Sequence, residues 1–170
     1  MGDHSRQIES LLRKESWKQA RKVIRIELAK DPKSHWLLTR LSATYYEERR
    51  YKLALKCVKK ARLIAPECPL VIWDYAGSLD MLGREEAAIT IWKKLISRGE
   101  RSIAFDECGE GLRWARSLIN DCYYRIGNSY REIGNERLAR SFIRKHLRGR
   151  KPRLPSLYEA KKIRRKFPEV

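Results

Sequence analysis

The chain has 170 residues, with 39 Lys and Arg against 21 Asp and Glu and a formal net charge of +18. That length suits one domain, and no stretch approaches the roughly 18 consecutive apolar residues of a membrane helix. The amino terminus MGDHSRQIESLL has no apolar signal region, so a cytoplasmic protein without a membrane partner is expected.

Apolar residues at helical spacing predict an all-α chain. Residues 3–14 and 16–30 read as a first hairpin ended by Asp31-Pro32. Residues 34–47 and 50–64 read as a second. Its first helix carries Leu38, Leu41, Ser42 and Tyr45 on one face, and its second carries Leu53, Ala54, Val58, Ala61 and Leu63. Residues 69–81 and 84–98 form a third hairpin turned at Gly83. Residues 99–111, GERSIAFDECGEG, combine three glycines with four acids and read as a loop. A long helix over 112–132 follows, then one over 135–148 and the breaker Gly149 to Pro155. Ser156 caps a closing helix in which Leu157, Ala160, Ile163 and Phe167 share the apolar face.

The hairpins repeat. A shift of 34 residues superposes Ala20, Ala54 and Ala88, then Ile24, Val58 and Trp92, then Pro32 and Pro66. Skipping the 17 residues Ile103 to Ile119 brings Ala139 and Ile143 into the same columns and Pro152 next to the proline column. The large-then-small pairs Leu41-Ser42, Tyr75-Ala76 and Ile126-Gly127 align in the first helices, with Gly83 and Gly134 at the later turns. The repeats span about 1–34, 35–68, 69–102 and 120–153, with an insertion at 103–119 and a capping helix at 156–167.

This period and these residue types resemble the tetratricopeptide repeat (TPR) family. The resemblance covers most of the chain and implies a right-handed α-solenoid of about four TPR-like helical hairpins plus a C-terminal capping helix. It also implies a protein-interaction scaffold or adaptor whose inner helices line a concave groove for a partner segment. Carried onto this sequence, the inner positions are Trp36, Thr39, Arg40, Ala43 and Tyr46, then Leu70, Trp73, Asp74, Gly77 and Asp80, then Asp121, Tyr124, Arg125, Asn128 and Arg131. Aromatic and Arg anchors there fit a protein or peptide partner. Thr39 and Ala43 stand where chaperone-binding members carry Lys and Asn, which argues against a carboxylate clamp.

Charge supports an alternative. Residues 1–66 hold 17 Lys and Arg against 7 acids, residues 67–112 hold 5 against 9, and residues 113–170 hold 17 against 5. Repeat geometry stacks the basic residues into ladders: Lys18, Lys52 and Arg137; Arg25, Lys59, Lys93 and Arg144; Lys60, Lys94 and Lys145. Such ladders attract RNA, DNA, ribosomes or another polyanion through backbone-led contacts.

Cys57, Cys68, Cys108 and Cys122 have no CxxC spacing, and the three histidines are scattered, so neither metal nor cofactor is expected. Asp74 and Asp80 are six residues apart and share no helical face, and no nucleotide-loop or nucleophile motif occurs, so the chain is not expected to be an enzyme. The apolar residues of the insertion are expected to be buried, with Asp106, Glu107 and Glu110 approaching Arg40 or Arg125.

Overall fold

The computed structural model describes residues 3–150 and 154–170, so Pro152 of the proline column lies outside the described residues. These hold ten α-helices and no strand. The chain divides into two compact units, Met1–Leu82 and Gly83–Val170. The first contains α1 (Asp3–Arg13), α2 (Trp17–Lys30), α3 (His35–Glu47), α4 (Tyr51–Ile64) and α5 (Pro69–Asp80). The second contains α6 (Glu85–Ser97), α7 (Gly99–Ala104), α8 (Leu112–Glu132), α9 (Glu136–Gly149) and α10 (Ala160–Lys166).

Local chemistry sets the ends of these helices. Ser34 Oγ accepts the Leu37 amide at 3.3 Å to open α3, and Asn135 Oδ1 accepts the Leu138 amide at 3.1 Å to open α9. The turn within each of the four hairpins places one residue in the left-handed region: Glu15 (φ 55°), Arg49 (58°), Gly83 (72°) and Gly134 (78°). Glycine adopts that conformation without a Cβ clash, while Glu15 and Arg49 hold it under strain.

The small and large columns form the core. Ala20, Ala54, Ala88 and Ala139 are fully buried, as are Ile24, Val58, Trp92 and Ile143. The short residue is what lets two helices approach. A Cβ added to Gly127 of α8 would lie 2.8 Å from Ile143 Cδ1 of α9. In the equivalent place Ser42 donates its hydroxyl to the Ala54 carbonyl at 3.0 Å, joining α3 to α4.

Four expectations are corrected. Leu63 is 87% exposed, because it lies two residues beyond buried Ala61 and so points away from that helix face. The segment 99–111 is not all loop, since Gly99–Ala104 forms α7 with Ile103 and Ala104 buried. Phe105 is 71% exposed and Leu112 38%, so the insertion's apolar residues are only partly covered. The closing helix starts at Ala160 after Glu159, not at Ser156, and Leu157 is 74% exposed. Ser156 turns to another partner, described below.

Candidate functional site

In the first unit α3 packs beside α5, and the expected groove residues divide. Trp36, Arg40, Trp73 and Asp74 are half-buried and keep outward surface. Thr39 is only 1% exposed, because its hydroxyl folds back onto the Trp36 carbonyl at 2.7 Å, so it offers no outward contact. Asp80 is buried as well. Tyr46 packs on the core and meets Tyr51 edge-on with ring centroids 5.3 Å apart.

Arg40 organises this face. Its Nε donates to Glu9 Oε1 at 2.6 Å, and its guanidinium lies 5.3 Å from the Trp36 ring centroid. Burial pushes the Asp74 carboxyl up to about 7, against the pull of the Arg40 charge. Glu9 of α1, Arg40 of α3 and Asp74 of α5 therefore set two carboxyls about one cation, beside the Trp36 indole. Glu9 carried no sequence signal, since its partner is 31 residues away.

The second unit's expected groove residues are covered by the chain's own end. Ser156 Oγ donates to Asp121 Oδ1 at 2.6 Å, and the Leu157 amide donates to Asp121 Oδ2 at 2.9 Å. The Tyr158 ring lies 4.0 Å from that of Tyr124. Lys166 Nζ donates to Asn128 Oδ1, and Arg131 donates to the Lys166 carbonyl while its guanidinium lies 5.0 Å from the Phe167 ring centroid. Ser117 donates to the Pro155 carbonyl. Residues 117, 121, 124, 128 and 131 are spaced by three or four along α8 and form one stripe. Tyr124 and Asn128 are therefore not open surface. Arg125 lies beside the stripe with its guanidinium 5.2 Å from the Trp92 ring centroid.

Behind the stripe, His146 is fully buried with Nδ1 2.8 Å from the Asn120 carbonyl oxygen. Burial lowers its pKa, which favours the neutral imidazole. Burial also raises the Asp121 carboxyl, opposed by the hydrogen bonds from Leu157 and Ser156.

The basic columns are less uniform than their sequence alignment suggests. Lys18, Lys52, Lys59, Lys60, Lys94, Arg137 and Arg144 are exposed. Arg25, Lys93 and Lys145 are exposed too, but Arg25 donates to the Tyr45 hydroxyl at 2.7 Å and Lys93 donates to the Tyr130 hydroxyl at 2.7 Å. Lys145 lies 5.0 Å from the Phe142 ring centroid and 5.9 Å from that of Tyr123. These three tie neighbouring elements together. Arg21, which no ladder contained, is buried over the Tyr45 ring and bonded to Glu48 at 2.9 Å.

The acidic segment is corrected too. Asp106 pairs with Arg98 at 2.6 Å and accepts the Cys108 amide at 3.1 Å. Its partner is a neighbour in sequence, because a short loop closes on nearby charge at little entropic cost.

Among solved structures, the chain is similar to MamA, a TPR-type helical repeat protein. MamA MSR-1 superposes with a TM-score of 0.60 at 20% identity, over 82% of this chain and 70% of that one. MamA AMB-1 gives 0.59 at 21% identity, over 82% and 72%. A further crystal structure of MamA gives 0.50 at 17% identity, over 88% and 95%. The fold is TPR-like. No protein-family model matches the chain, and no curated protein does. In the repeat frame of the sequence, Asp121 and Tyr124 of the stripe align with Trp36 and Trp73, and Arg125 beside it aligns with Arg40 and Asp74. Among the described residues no helix is long and apolar enough to cross a membrane.

Proposed function

We propose that the protein is a non-enzymatic interaction scaffold that receives a partner segment on the inner-helix face of its first unit. The observation that carries this reading is the set Trp36, Arg40, Trp73 and Asp74, four half-buried side chains presented by packed helices α3 and α5. Indoles and a guanidinium held this way are the residue types that dominate binding energy at interfaces. Arg40 is already oriented by Glu9, so less side-chain freedom is lost on docking. Asp74 supplies a carboxyl that a basic group on the partner would hold in its charged form. The TPR-like fold supports the reading, since inner helices of that repeat line peptide grooves.

The test is affinity capture from native lysate with the full chain, with and without nuclease. The wild type is expected to retain a protein partner after nuclease treatment, and Trp36→Ala with Trp73→Ala is expected to lose it. An identical captured set from both proteins overturns the reading.

A polyanion reading rests on α9, where Arg137, Arg144, Lys145 and Arg148 line a depression beside Ser141. It is the weaker reading, because Arg25 and Lys93, though exposed, already hydrogen-bond tyrosine hydroxyls and Lys145 lies over the Phe142 ring.

A further inference from the structure

The TPR frame assigns the α8 stripe to ligand contact, yet the stripe carries the chain's own segment 154–167. The geometry points to this segment as a built-in, displaceable occupant of a second recognition surface, which takes a peptide, extended at first and then helical, bearing a hydroxyl residue, a tyrosine two positions later and a basic residue eight positions beyond that. The ligand chemistry is read from the occupant. Asp121 is nearly buried and receives two donors, a serine hydroxyl and the next backbone amide. Tyr124 offers its ring to Tyr158, and Asn128 offers its carbonyl to Lys166. This surface lies in the second unit and goes beyond the docking face proposed for the first.

Two features separate the segment from a permanent cap. A terminal cap exists to cover the apolar face of the last repeat. Here Ile163 and Phe167 are buried, but Leu157 is 74% exposed, and the contacts along the stripe from Pro155 to Tyr158 are hydrogen bonds and ring stacking. The second feature is that α10 has seven residues, five of them Lys or Arg. A helix this short is marginal in water, and like charges one turn apart repel. The segment is thus held by the α8 stripe more than by its own helix.

An occupied site lowers apparent affinity by the fraction of molecules in which it is open. The probe is therefore a fluorescent peptide copying residues 154–167, titrated against the full chain and against the full-length variant Ser156→Ala with Tyr158→Ala. The variant is expected to bind the peptide about tenfold more tightly than the wild type, whose own segment competes. Adding Asp121→Asn is expected to remove about tenfold of that affinity, by deleting a charge-assisted acceptor. A peptide of scrambled order is expected not to bind. Equal affinity of wild type and variant, binding by neither, or equal binding of the scrambled peptide overturns the proposal. Hydrogen exchange on the wild type gives a reading that needs no variant. The Leu157 and Phe167 amides are expected to exchange about tenfold or more faster than that of Ile126 in α8, as a locally opening segment does. Exchange at the Ile126 rate shows a permanent cap and overturns the proposal. Neither measurement involves Trp36 or Trp73, so failure here is distinct from failure of the first docking face.

Discussion

Lys93 donates to the Tyr130 hydroxyl at 2.7 Å, as Arg25 donates to the Tyr45 hydroxyl at 2.7 Å. The two pairs are 37 and 20 residues apart in sequence, a difference equal to the 17 residues Ile103 to Ile119. One column of the repeat thus supplies a cation to the tyrosine of the next hairpin's first helix, whether or not the added length intervenes. Tyr130→Phe keeps the ring and removes the acceptor. Urea denaturation is expected to show a loss of about 1 kcal/mol, the usual net contribution of one such bond, with an unchanged slope.

The left-handed turns give opposite predictions at equivalent positions. Arg49→Gly relieves a strained φ of 58° and is expected to raise stability by about 0.5–1 kcal/mol. Gly83→Ala, at φ 72°, introduces that strain and is expected to cost about 1 kcal/mol. Thermal melts of the two variants check both signs.

Close helix approach makes the small column intolerant of added bulk. Gly127→Ala drives a methyl into Ile143 and is expected to cost about 1–3 kcal/mol. Ala54→Trp, at a fully buried site, is expected to abolish cooperative unfolding of the first unit. Circular dichroism melts read both.

Two titratable groups, half-buried Asp74 and fully buried His146, respond to pH in opposite directions. The Asp74 carboxyl is raised from 3.8 to about 7, so its favourable contribution is complete below the lower value and is lost as pH rises through the upper. Asp74→Asn removes that loss. It is expected to stabilise the chain at pH 8 by roughly 1–2 kcal/mol, the full shift being discounted for the group's partial contact with water, and to do little near pH 4. The His146 pKa is lowered from 6.5, so its contribution is complete above that value and is lost as pH falls through the depressed one. His146→Gln is expected to flatten the decline of stability between pH 7 and pH 5. Urea unfolding at several pH values separates the two.

The exposed cations of the outer columns are open to a direct test. Lys59→Glu with Arg144→Glu is expected to leave the melt unchanged. If single-stranded RNA binds, the variant is expected to lower the salt slope by about one for each phosphate contact removed.

The parts of this fold that repeat were legible in the sequence. Ala20, Ala54, Ala88 and Ala139 announce close approaches because each recurs at the same place in a helical period. The α8 stripe was legible only as a set of inner positions. Its occupant was not, because Ser156 to Asp121 and Lys166 to Asn128 span 35 and 38 residues, join polar groups and have no periodic counterpart. Aligned cations were visible too, but a column of like charge says nothing of the ring that receives each one. Arg25 and Lys93 are exposed, as a surface ladder requires, and are cross-braces as well. The helix α7 escaped notice because six residues are too few to show a period.

The Arg98–Asp106 pair joins residues eight apart across α7, and the Gly111 amide returns to the Ala104 carbonyl at 3.2 Å. The added length is therefore knotted to itself at its base, like a dart sewn into cloth. A segment closed on its own surroundings in this way takes up its length locally and leaves the hairpins on each side free to keep one shared stitch.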